Sequence, residues 1–334
     1  MTYNRYSRQT LYQNIGEIGQ RKINQKSALI IGMGALGTHV SEGLVRAGIR
    51  KLVIIDRDYI EPSNLQRQTL FTEQQADESI PKVIAAKEAL KAIRSDVDIE
   101  AYIDHVDATF LSEHIPKVDV IIDATDNFET RMLINDAAYY YKKPWIYGGV
   151  VQSTYVEAAF IPGVTPCFQC LIPQIPSMNL TCDTAGVIQP AVTMTTSLQI
   201  KDALKILTET TFLPKLTYGD IWEGSHYNFG FSKLKNNQCT TCGEMPTFSH
   251  LTEDAPRFAS MCGRDSVQYQ HPALSHDQLL NYLKSRHIRY QSNGYLIQFN
   301  FEGYRIVGFQ NGRILIHGLS EVSKAQTIMH KLFG

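Results

Sequence analysis

The sequence predicts an α/β fold, a doubly wound Rossmann-like parallel sheet, and three observations lead to it. First, the apolar run Ser27–Ile31 ends at the glycine-rich turn Gly32–Gly37, and a helical pattern of apolar residues follows the turn. Second, Leu52–Asp56 and Val118–Asp123 are further apolar runs of strand length. Third, helical patterns separate these runs, and a parallel sheet needs such crossovers between its strands.

Later segments predict antiparallel additions to this sheet. After helical patterns at about 82–94 and 128–141, the β-forming stretch from Trp145 to about Ile161 precedes a helical segment at about 190–207. A second β-forming stretch, Leu216–Phe231, follows that helix. We expect these strands to extend the sheet and to cover its ligand site.

The last part of the chain predicts a small α+β C-terminal domain. We expect residues 1–245 to form the main domain, 246–270 to be an irregular linker and 271–334 to fold separately. In the last segment, strand patterns flank the tight-turn pair Asn311-Gly312. Ser320 is expected to cap a final amphipathic helix that packs on a three-stranded sheet.

Composition and charge exclude several classes of protein. Lys and Arg number 32 against 33 Asp and Glu, so the net charge of -1 offers no global attraction to nucleic acid or to an anionic membrane. The N-terminus has no apolar signal segment, and no stretch approaches the roughly 18 apolar residues of a membrane span. We expect a cytoplasmic protein in which six cysteines are too few for a disulfide scaffold.

The glycine-rich turn and the next strand predict a nucleotide site. Gly32, Gly34 and Gly37 give the spacing G-x-G-x-x-G between a strand and a helix, where backbone N–H groups and the helix dipole attract phosphate. Asp56, at the end of the next strand, is placed to accept hydrogen bonds from ribose hydroxyls. NAD, FAD and ATP are all compatible with these residues.

Polar residues beyond the second strand favour a nucleoside triphosphate over a redox cofactor. The segment Ser63–Gln68 contains one cation, Arg67, between amide side chains, and Lys82 begins a helix shortly afterwards. A guanidinium binds phosphate oxygens in pairs, and the amide of Asn64 can donate to them without adding charge. Taken alone, Arg67 or Lys82 would be typical of a solvated surface charge.

An acidic loop, Asp123–Asn127, follows the third predicted strand, at the edge of the sheet where ligands bind in open α/β folds. Asp126 can hold Mg²⁺, because a cation that bridges phosphates needs only one or two carboxylates and takes water for the rest. By itself, Asp126 would be typical of an N-cap for the helix from Phe128. Asp123 is equally compatible with accepting hydrogen bonds from loop amides.

Four of the six cysteines form two Cys-x-x-Cys pairs, Cys167 with Cys170 and Cys239 with Cys242. Two such pairs that meet in space make a closed tetrahedral zinc site, and this interpretation is favoured over a redox dithiol. A closed site has no open coordination position. Its Zn²⁺ would therefore join chain segments rather than take part in catalysis.

The ordered set of motifs resembles the ThiF/MoeB/HesA family over about residues 4–245. The set consists of Arg5-Tyr6-Ser7-Arg8-Gln9, the glycine turn, Asp56-Arg57-Asp58, Ser63–Gln68, Lys82 and Asp123–Asn127. It is far more specific than any one of its motifs. Where the family usually has a further glycine in the turn, this sequence has Ala35, whose methyl group is small and leaves the spacing intact.

The resemblance implies a role for individual residues of the nucleotide site. Asp56 would bind ribose, and Asn64, Arg67 and Lys82 would contact phosphates. The residues that the resemblance assigns to ATP binding are Gly32, Gly34, Ala35, Gly37, Asp56, Asp58, Ser63, Asn64, Leu65, Gln66, Arg67, Lys82, Asp126 and Asn127.

Three further roles follow from the resemblance. Asp126 would bind Mg²⁺, and Arg8 would reach the phosphates of the other subunit of a homodimer. The two cysteine pairs would match the structural zinc site of the family. Cys182 matches the family's thiol position, where a covalent role in sulfur chemistry and an inert loop thiol are both compatible with the sequence.

The activity that the resemblance implies is adenylylation with Mg-ATP of the C-terminal glycine carboxylate of a small ubiquitin-like sulfur-carrier protein, which ends in Gly-Gly. The expected carrier is the molybdopterin-synthase small subunit, for molybdenum cofactor biosynthesis, and the alternative is the thiazole carrier of thiamine biosynthesis. A fused rhodanese domain is not recognisable, so we expect a separate sulfur donor protein. The rival interpretations are an inactive binding module and an NAD-dependent oxidoreductase, which leaves Arg67, Lys82 and Asp126 unexplained.

Overall fold

The structure, a computed structural model, describes residues 5–172, 185–251, 258–260, 265–271 and 274–333. Cys182 lies outside the described residues. The chain divides into two compact units, Met1–Asp77 with Pro81–Glu253 and Glu78–Ile80 with Asp254–Gly334. Each unit has its own sheet and its own apolar core.

The first unit is built on an eight-stranded sheet. Its strands are β1 (Ser27–Ile31), β2 (Lys51–Ile55), β3 (Asp98–Tyr102), β4 (Val120–Asp123), β5 (Trp145–Val151), β6 (Thr154–Phe160), β7 (Leu216–Asp220) and β8 (Ser225–Phe229). Their order is β3-β2-β1-β4-β5-β6-β7-β8, with parallel pairing from β3 to β5 and antiparallel pairing from β5 to β8. The predicted Rossmann-like sheet with antiparallel additions is confirmed.

Helices cover the middle of this sheet and explain why its central strands β1 and β4 are buried along their whole length. The long helix Gln189–Leu207 contacts the helix Ala35–Ala47 and strands β5 and β6. Strands β1 and β4 are buried at every residue, as parallel strands with helices on both faces are. The α-helices of the unit include Ser7–Thr10, Gly16–Ile23, Ala35–Ala47, Glu73–Asp77, Lys82–Ile93, Ala108–His114, Phe128–Tyr140, Phe168–Leu171 and Gln189–Leu207. Short 3₁₀ helices are Pro62–Asn64, Ile115–Lys117 and Ser232–Leu234.

An aromatic cluster joins the antiparallel part of the sheet to the first cysteine pair. Trp145 of β5 stacks on Phe160 of β6 with ring centroids 4.8 Å apart. Phe168, the residue after Cys167, packs edge-on against Trp145 at 5.6 Å and is fully buried. Burial of these large rings fixes the cysteine loop against the core, since each removes a large apolar area from water.

The described residues of the second unit form a six-stranded antiparallel sheet and two helices. Its strands are β9 (Phe258–Ser260), β10 (Ser266–Gln270), β11 (Tyr290–Ser292), β12 (Leu296–Phe301), β13 (Tyr304–Phe309) and β14 (Arg313–His317), in the order β11-β12-β13-β14-β10-β9. The helices His276–Ser285 and Val322–Phe333 bury their apolar residues in one core with the sheet. Among the described helices of both units, none is long and apolar enough to cross a membrane.

Three expectations about the second unit are wrong in detail. The segment 246–270 is not wholly irregular, since it contains β9 and β10. Strand β10 pairs with β14 and β9 pairs with β10, so the sheet has six strands where three were expected. Ser320 is not the N-cap: the last helix begins at Val322, and the first carbonyl to accept a helical hydrogen bond is that of Glu321, from Ala325 N at 3.2 Å. The assignment of functional domains to these segments stays a prediction.

Candidate active site and cysteine cluster

Three loops meet where strands β2, β1 and β4 end. Strand β1 lies between the other two: the connection after β1 leads to β2 on one side, and the connection after β3 crosses to β4 on the other side. Ligands bind at such a switch point in open α/β sheets. The loops are in contact, because a Cβ atom on Gly32 would lie 2.5 Å from the carbonyl oxygen of Ala124. The structure therefore brings the predicted glycine turn and the predicted acidic loop together.

The glycines of the turn differ in what surrounds them. Gly32 has a φ of +94°, which side chains rarely adopt, and Gly37 has the carbonyl oxygen of Gly32 only 2.0 Å from the position of a Cβ. Gly34 is open, since its nearest neighbour in that test is Gln68 Nε2 at 3.7 Å. Gly32 and Gly37 are thus required by the fold of the turn itself, whereas Gly34 leaves space above the backbone.

Asp56 ties the second loop to the glycine turn. Its Oδ2 accepts a hydrogen bond from Met33 N at 2.6 Å, and its Oδ1 accepts one from Asp58 N at 2.7 Å. A carboxylate has about four acceptor positions, so these two bonds leave capacity for a ligand. The predicted ribose contact stays a prediction, and the structure adds a role in holding the turn.

The segment with Arg67 begins with the 3₁₀ helix Pro62–Asn64. Asn64 is buried, and its Oδ1 accepts a hydrogen bond from Glu61 N at 3.0 Å. This contact occupies the Oδ1 acceptor of the Asn64 amide, and the Nδ2 group is the part of the amide that can donate to a ligand. Arg67 folds back on the same turn, with Nη1 donating to Ser63 O at 2.9 Å.

Lys82 is buried, so the interpretation as a solvated surface charge is wrong for this residue. Its side chain is 4% exposed, and its Nζ lies 3.6 Å from Asp58 Oδ2. Gln68, which the assigned roles omit, is also buried, and its Oε1 has no hydrogen-bond partner among the described residues. A buried cation and an unpaired amide oxygen beside an open turn are typical of a ligand site.

The structure of the acidic loop distinguishes between Asp126 as a helix N-cap and Asp126 as an accessible carboxylate. The helix Phe128–Tyr140 is capped by Asn127, whose Oδ1 accepts from Thr130 N at 2.8 Å, so Asp126 is not the N-cap. Asp126 is exposed, and Asn127 Nδ2 lies 3.4 Å from its Oδ1. Its carboxylate is therefore accessible to a cation in solution.

Asp123 serves the loop rather than the ligand. It is fully buried, and its Oδ1 accepts from Thr125 N at 2.9 Å and from Thr125 Oγ1 at 2.6 Å. Burial raises the pKa of Asp123, and the guanidinium of Arg131 opposes that shift. Sequence reasoning missed Arg131; a cation on the buried face of an apolar helix was the signal that could have found it.

The four cysteines of the two pairs form one cluster, as predicted. All four Sγ atoms lie within 4.8 Å of one another. Cys167 Sγ is 3.5 Å from Cys239 Sγ and 4.0 Å from Cys170 Sγ, and Cys170 Sγ is 3.5 Å from Cys242 Sγ. Tetrahedral zinc with Zn–S bonds of about 2.3 Å would place the sulfurs about 3.8 Å apart. The donor set therefore fits such an ion.

Four thiols at this distance cannot titrate independently. The hydrogen bond from Cys167 lowers the pKa of Cys242 to about 5, and burial raises the pKa of Cys170 to about 11. One thiolate is thus favoured while a second is disfavoured. A bound divalent cation would remove that conflict, because coordinated thiols lose their protons.

The helix that begins at the acidic loop also supports the cysteine cluster. Asn135 accepts a hydrogen bond from Phe168 N at 2.9 Å and donates to Thr241 Oγ1 at 3.2 Å, so it contacts both pairs. Asp136 accepts from Thr241 Oγ1 and, at 2.8 Å, from His250 N. One helix thus connects the cluster with the loop that carries Asp126.

Arg8 lies in the short helix Ser7–Thr10 and is exposed. A role in the site of a second subunit needs an exposed cation, and its placement is compatible with that. The predicted exchange of Arg8 between subunits stays a prediction, as do the individual roles in ATP binding.

Comparison with known proteins identifies the family. Residues 6–241 match the model of the ThiF family. The sulfur carrier protein ThiS adenylyltransferase of Bacillus subtilis is 40% identical over 335 residues, which cover 99% of this chain and 99% of that protein. The sulfur carrier protein adenylyltransferase of Thermus thermophilus is 32% identical over 269 residues, covering 78% of this chain and 96% of that protein.

Solved structures show the same fold. MccB of E. coli, crystallised with succinimide, has a TM-score of 0.63 and 23% sequence identity over 73% of this chain and 75% of its own. At this identity the likeness concerns the fold alone. The family match, the two sequence relatives and the three-loop site agree with the resemblance carried by the motifs, and the chain belongs to the ThiF family.

Proposed function

We propose that this chain is an adenylyltransferase that uses Mg-ATP to activate the C-terminal carboxylate of a sulfur-carrier protein. The observation that carries the proposal is the buried Lys82, which lies 3.6 Å from Asp58 in the loop after β2, in a chain whose sequence relatives are named sulfur-carrier adenylyltransferases. An NAD-dependent oxidoreductase would need no buried cation at this position.

In the proposed reaction, a carboxylate oxygen of the carrier's terminal glycine attacks the α-phosphorus of ATP. A bond between that oxygen and phosphorus forms, and the bond from the α-phosphorus to the bridging oxygen breaks. Pyrophosphate leaves with the electron pair, and an acyl-adenylate remains on the carrier. No protein nucleophile is needed, because a carboxylate is already ionised at neutral pH.

The task of the protein is to align two anions and to balance their charge. Backbone N–H groups of the turn at Gly34 would donate hydrogen bonds to the phosphates, and Lys82 and Arg67 would neutralise developing charge on the pyrophosphate. Asn64 would donate its amide to a phosphate oxygen. Asp126 would hold Mg²⁺, which supplies additional positive charge to the phosphates.

Further parts of the proposal concern the dimer, the metal and the source of sulfur. A homodimer would bring Arg8 of a second copy to the phosphates, as the resemblance implies. Zn²⁺ would occupy the cluster of Cys167, Cys170, Cys239 and Cys242 and join the segments that carry the two pairs. Its closed four-sulfur shell would keep it structural rather than catalytic. The sulfur would come from a separate donor protein.

The identity of the carrier is the finer part of the proposal. The Bacillus relative named for ThiS aligns over 99% of both chains, so the likeness includes the second unit. The Thermus relative, named for a sulfur carrier without further specification, covers only 78% of this chain. We therefore favour the thiazole carrier, the alternative of the sequence-based prediction, and keep the molybdopterin carrier as the second candidate.

The experiment that tests this function is ATP–pyrophosphate exchange with the full chain and each of the two carriers. We expect exchange that depends on a carrier and on Mg²⁺, and a loss of about 10²-fold or more in Arg67→Ala. Arg46→Ala is the matched control, because Arg46 is exposed and pairs with Glu42 on a helix surface. Absence of exchange with both carriers, together with reduction of NAD on addition of a substrate alcohol, would support the oxidoreductase instead.

A further inference from the structure

Arg131 is a buried cation beside the candidate active site. It lies in the first turn of the helix Phe128–Tyr140 and is 6% exposed. Its guanidinium carbon lies 5.3 Å from the ring centroid of Phe128 and 5.0 Å from that of Tyr147. The two rings shield the charge from water, and a charge in such a place is retained only where it is paired and hydrogen-bonded.

The guanidinium of Arg131 donates to three oxygens on three chain segments. Nε contacts Asp123 Oδ2 at 3.1 Å, while Nη2 donates to Thr125 O at 2.7 Å and contacts Gly148 O at 3.3 Å. Asp123 ends strand β4, Thr125 lies in the acidic loop and Gly148 belongs to strand β5. A planar fork with several N–H groups can satisfy all three, which an ammonium group cannot do with the same geometry.

These contacts fix the acidic loop on both sides of Asp126. Before it, Thr125 is bound through its carbonyl by Arg131 and through its N–H and hydroxyl by Asp123. After it, Asn127 is fixed as the helix N-cap. Gln199 adds a hydrogen bond from Nε2 to the carbonyl of Asp123 at 2.8 Å. The backbone of Asp126 thus has little freedom, although its side chain is exposed.

We propose that Arg131 is a positioning residue for the adenylylation reaction: by holding the carbonyl of Thr125 it sets the place of the Asp126 carboxylate. The proposal rests on the proposed function, in which Asp126 binds Mg²⁺. Because Arg131 is buried, its proposed effect on the reaction is exerted through Thr125 rather than by contact with nucleotide or carrier. Residues that orient a metal ligand through one intermediate contact change metal affinity or activity by about 10- to 100-fold when they are replaced.

The test compares Arg131→Lys with Arg94→Lys in the full chain. Arg94 is a matched control, because it is buried and donates to the carbonyls of Ile49 and Val45 at the far end of the helix Ala35–Ala47. For Arg131→Lys we expect kcat to fall about 10- to 100-fold and the Mg²⁺ concentration at half-maximal exchange to rise about 10-fold. For Arg94→Lys we expect a lower melting temperature and an unchanged Mg²⁺ requirement.

A second readout needs no turnover. Amide hydrogen exchange of a peptide covering 123–127, in the protein without nucleotide, should accelerate in Arg131→Lys and stay at the wild-type rate in Arg94→Lys. If Arg131→Lys does not fold, Asp123→Asn serves for the same two measurements, because it weakens the contact to Arg131 and keeps an acceptor for Thr125.

The outcomes separate this inference from the proposed function. If the wild-type protein has no exchange activity, both the proposed function and the positioning role are contradicted. Wild-type exchange whose Mg²⁺ requirement rises in Asp126→Ala, but not in Arg131→Lys, would overturn the positioning role alone. The role is also overturned if Arg131→Lys and Arg94→Lys give the same hydrogen exchange at 123–127.

Discussion

The substitution Gly37→Ala should distort the nucleotide site, because the added methyl group would clash with the backbone of the glycine turn. Its Cβ would lie 2.0 Å from the carbonyl oxygen of Gly32, and Cβ atoms in proteins essentially never come closer than 3.0 Å to such an atom. The helix Ala35–Ala47 and the turn must therefore separate by about 1 Å. A displacement of that size at a reactive site costs about 10²-fold in rate, and overpacking of this kind costs about 1–3 kcal/mol of folding free energy.

The neighbouring Gly34 offers a contrast in the same turn. A Cβ there would meet Gln68 Nε2 at 3.7 Å, which is ordinary contact, so the protein without ligand should tolerate it. The added methyl group would instead occupy the space that the phosphates are proposed to use. We expect Gly34→Ala to keep the wild-type melting temperature and to lose affinity for ATP.

Two measurements separate these effects: thermal unfolding without nucleotide, and calorimetric titration with Mg-ATP. Gly37→Ala should lower both the melting temperature and the affinity, whereas Gly34→Ala should lower the affinity alone. Gly230→Ala is the control, since nothing lies within 4 Å of the added Cβ. The reasoning is refuted if Gly37→Ala binds ATP like the wild type, or if Gly34→Ala unfolds at the lower temperature of Gly37→Ala.

Three further predictions follow from other parts of the first unit. Lys82→Ala should reduce ATP–pyrophosphate exchange about 10²- to 10³-fold, because it removes a buried cation and leaves Asp58 without that partner; exchange above a tenth of wild type would contradict the role. Cys170→Ser should lower both the zinc content and the melting temperature, since an ion present at 1,000 times its Kd stabilises the folded state by about 4 kcal/mol; an unchanged zinc content would contradict the cluster as a zinc site. Glu157 is fully buried, and burial raises its pKa well above the usual 4.5. As the pH rises above 4.5, the carboxyl group ionises more readily in the unfolded chain than in the folded protein, so the folded state loses stability. Glu157→Gln should therefore raise the melting temperature at about pH 7.5, with a difference from wild type that disappears near pH 4; a constant difference across this range would contradict the assignment.

Much of the first unit could be predicted from the sequence because its signals are local. The run Ser27–Ile31 forms a strand with the predicted bounds. The glycine spacing that follows it is typical of a turn between a strand and a helix, and the structure has such a turn. Strand β3 was missed. Asp98–Tyr102 has only one buried residue, so its pattern lacks the apolar run by which parallel strands are recognised.

The second unit was harder to predict because part of its sheet is formed by pairing between segments that are distant in the sequence. Strand β10 pairs with β14, which lies more than forty residues later, and β9 pairs with β10. Strand β10 alternates polar and apolar residues over only five positions, and β9 has three residues, so both patterns are short. Pairing of this kind depends on tertiary contacts that local propensity does not encode. The predicted cap at Ser320 failed for a smaller reason, since helix ends shift by one or two residues without changing the buried face.

In the candidate site, sequence reasoning identified the side chains but not their surroundings. Lys82 and Asp126 were singled out by type and order, and only the structure shows that the first is buried and the second is not a helix cap. Arg131 was missed, and Gln68, although part of the segment Ser63–Gln68, was given no role of its own, because the importance of both residues comes from burial. A charged or amide residue on a helix or turn is otherwise typical of the surface.

Adenylylation of the carrier can be followed directly as transfer of the α-phosphate of labelled ATP to the carrier protein. We expect label from the α-phosphate, and not from the γ-phosphate, to become attached to a carrier ending in Gly-Gly, and we expect removal of the carrier's last glycine to abolish this labelling. A carrier that stays unlabelled with active, folded enzyme, or label that persists after the last glycine is removed, would contradict adenylylation of the C-terminal carboxylate.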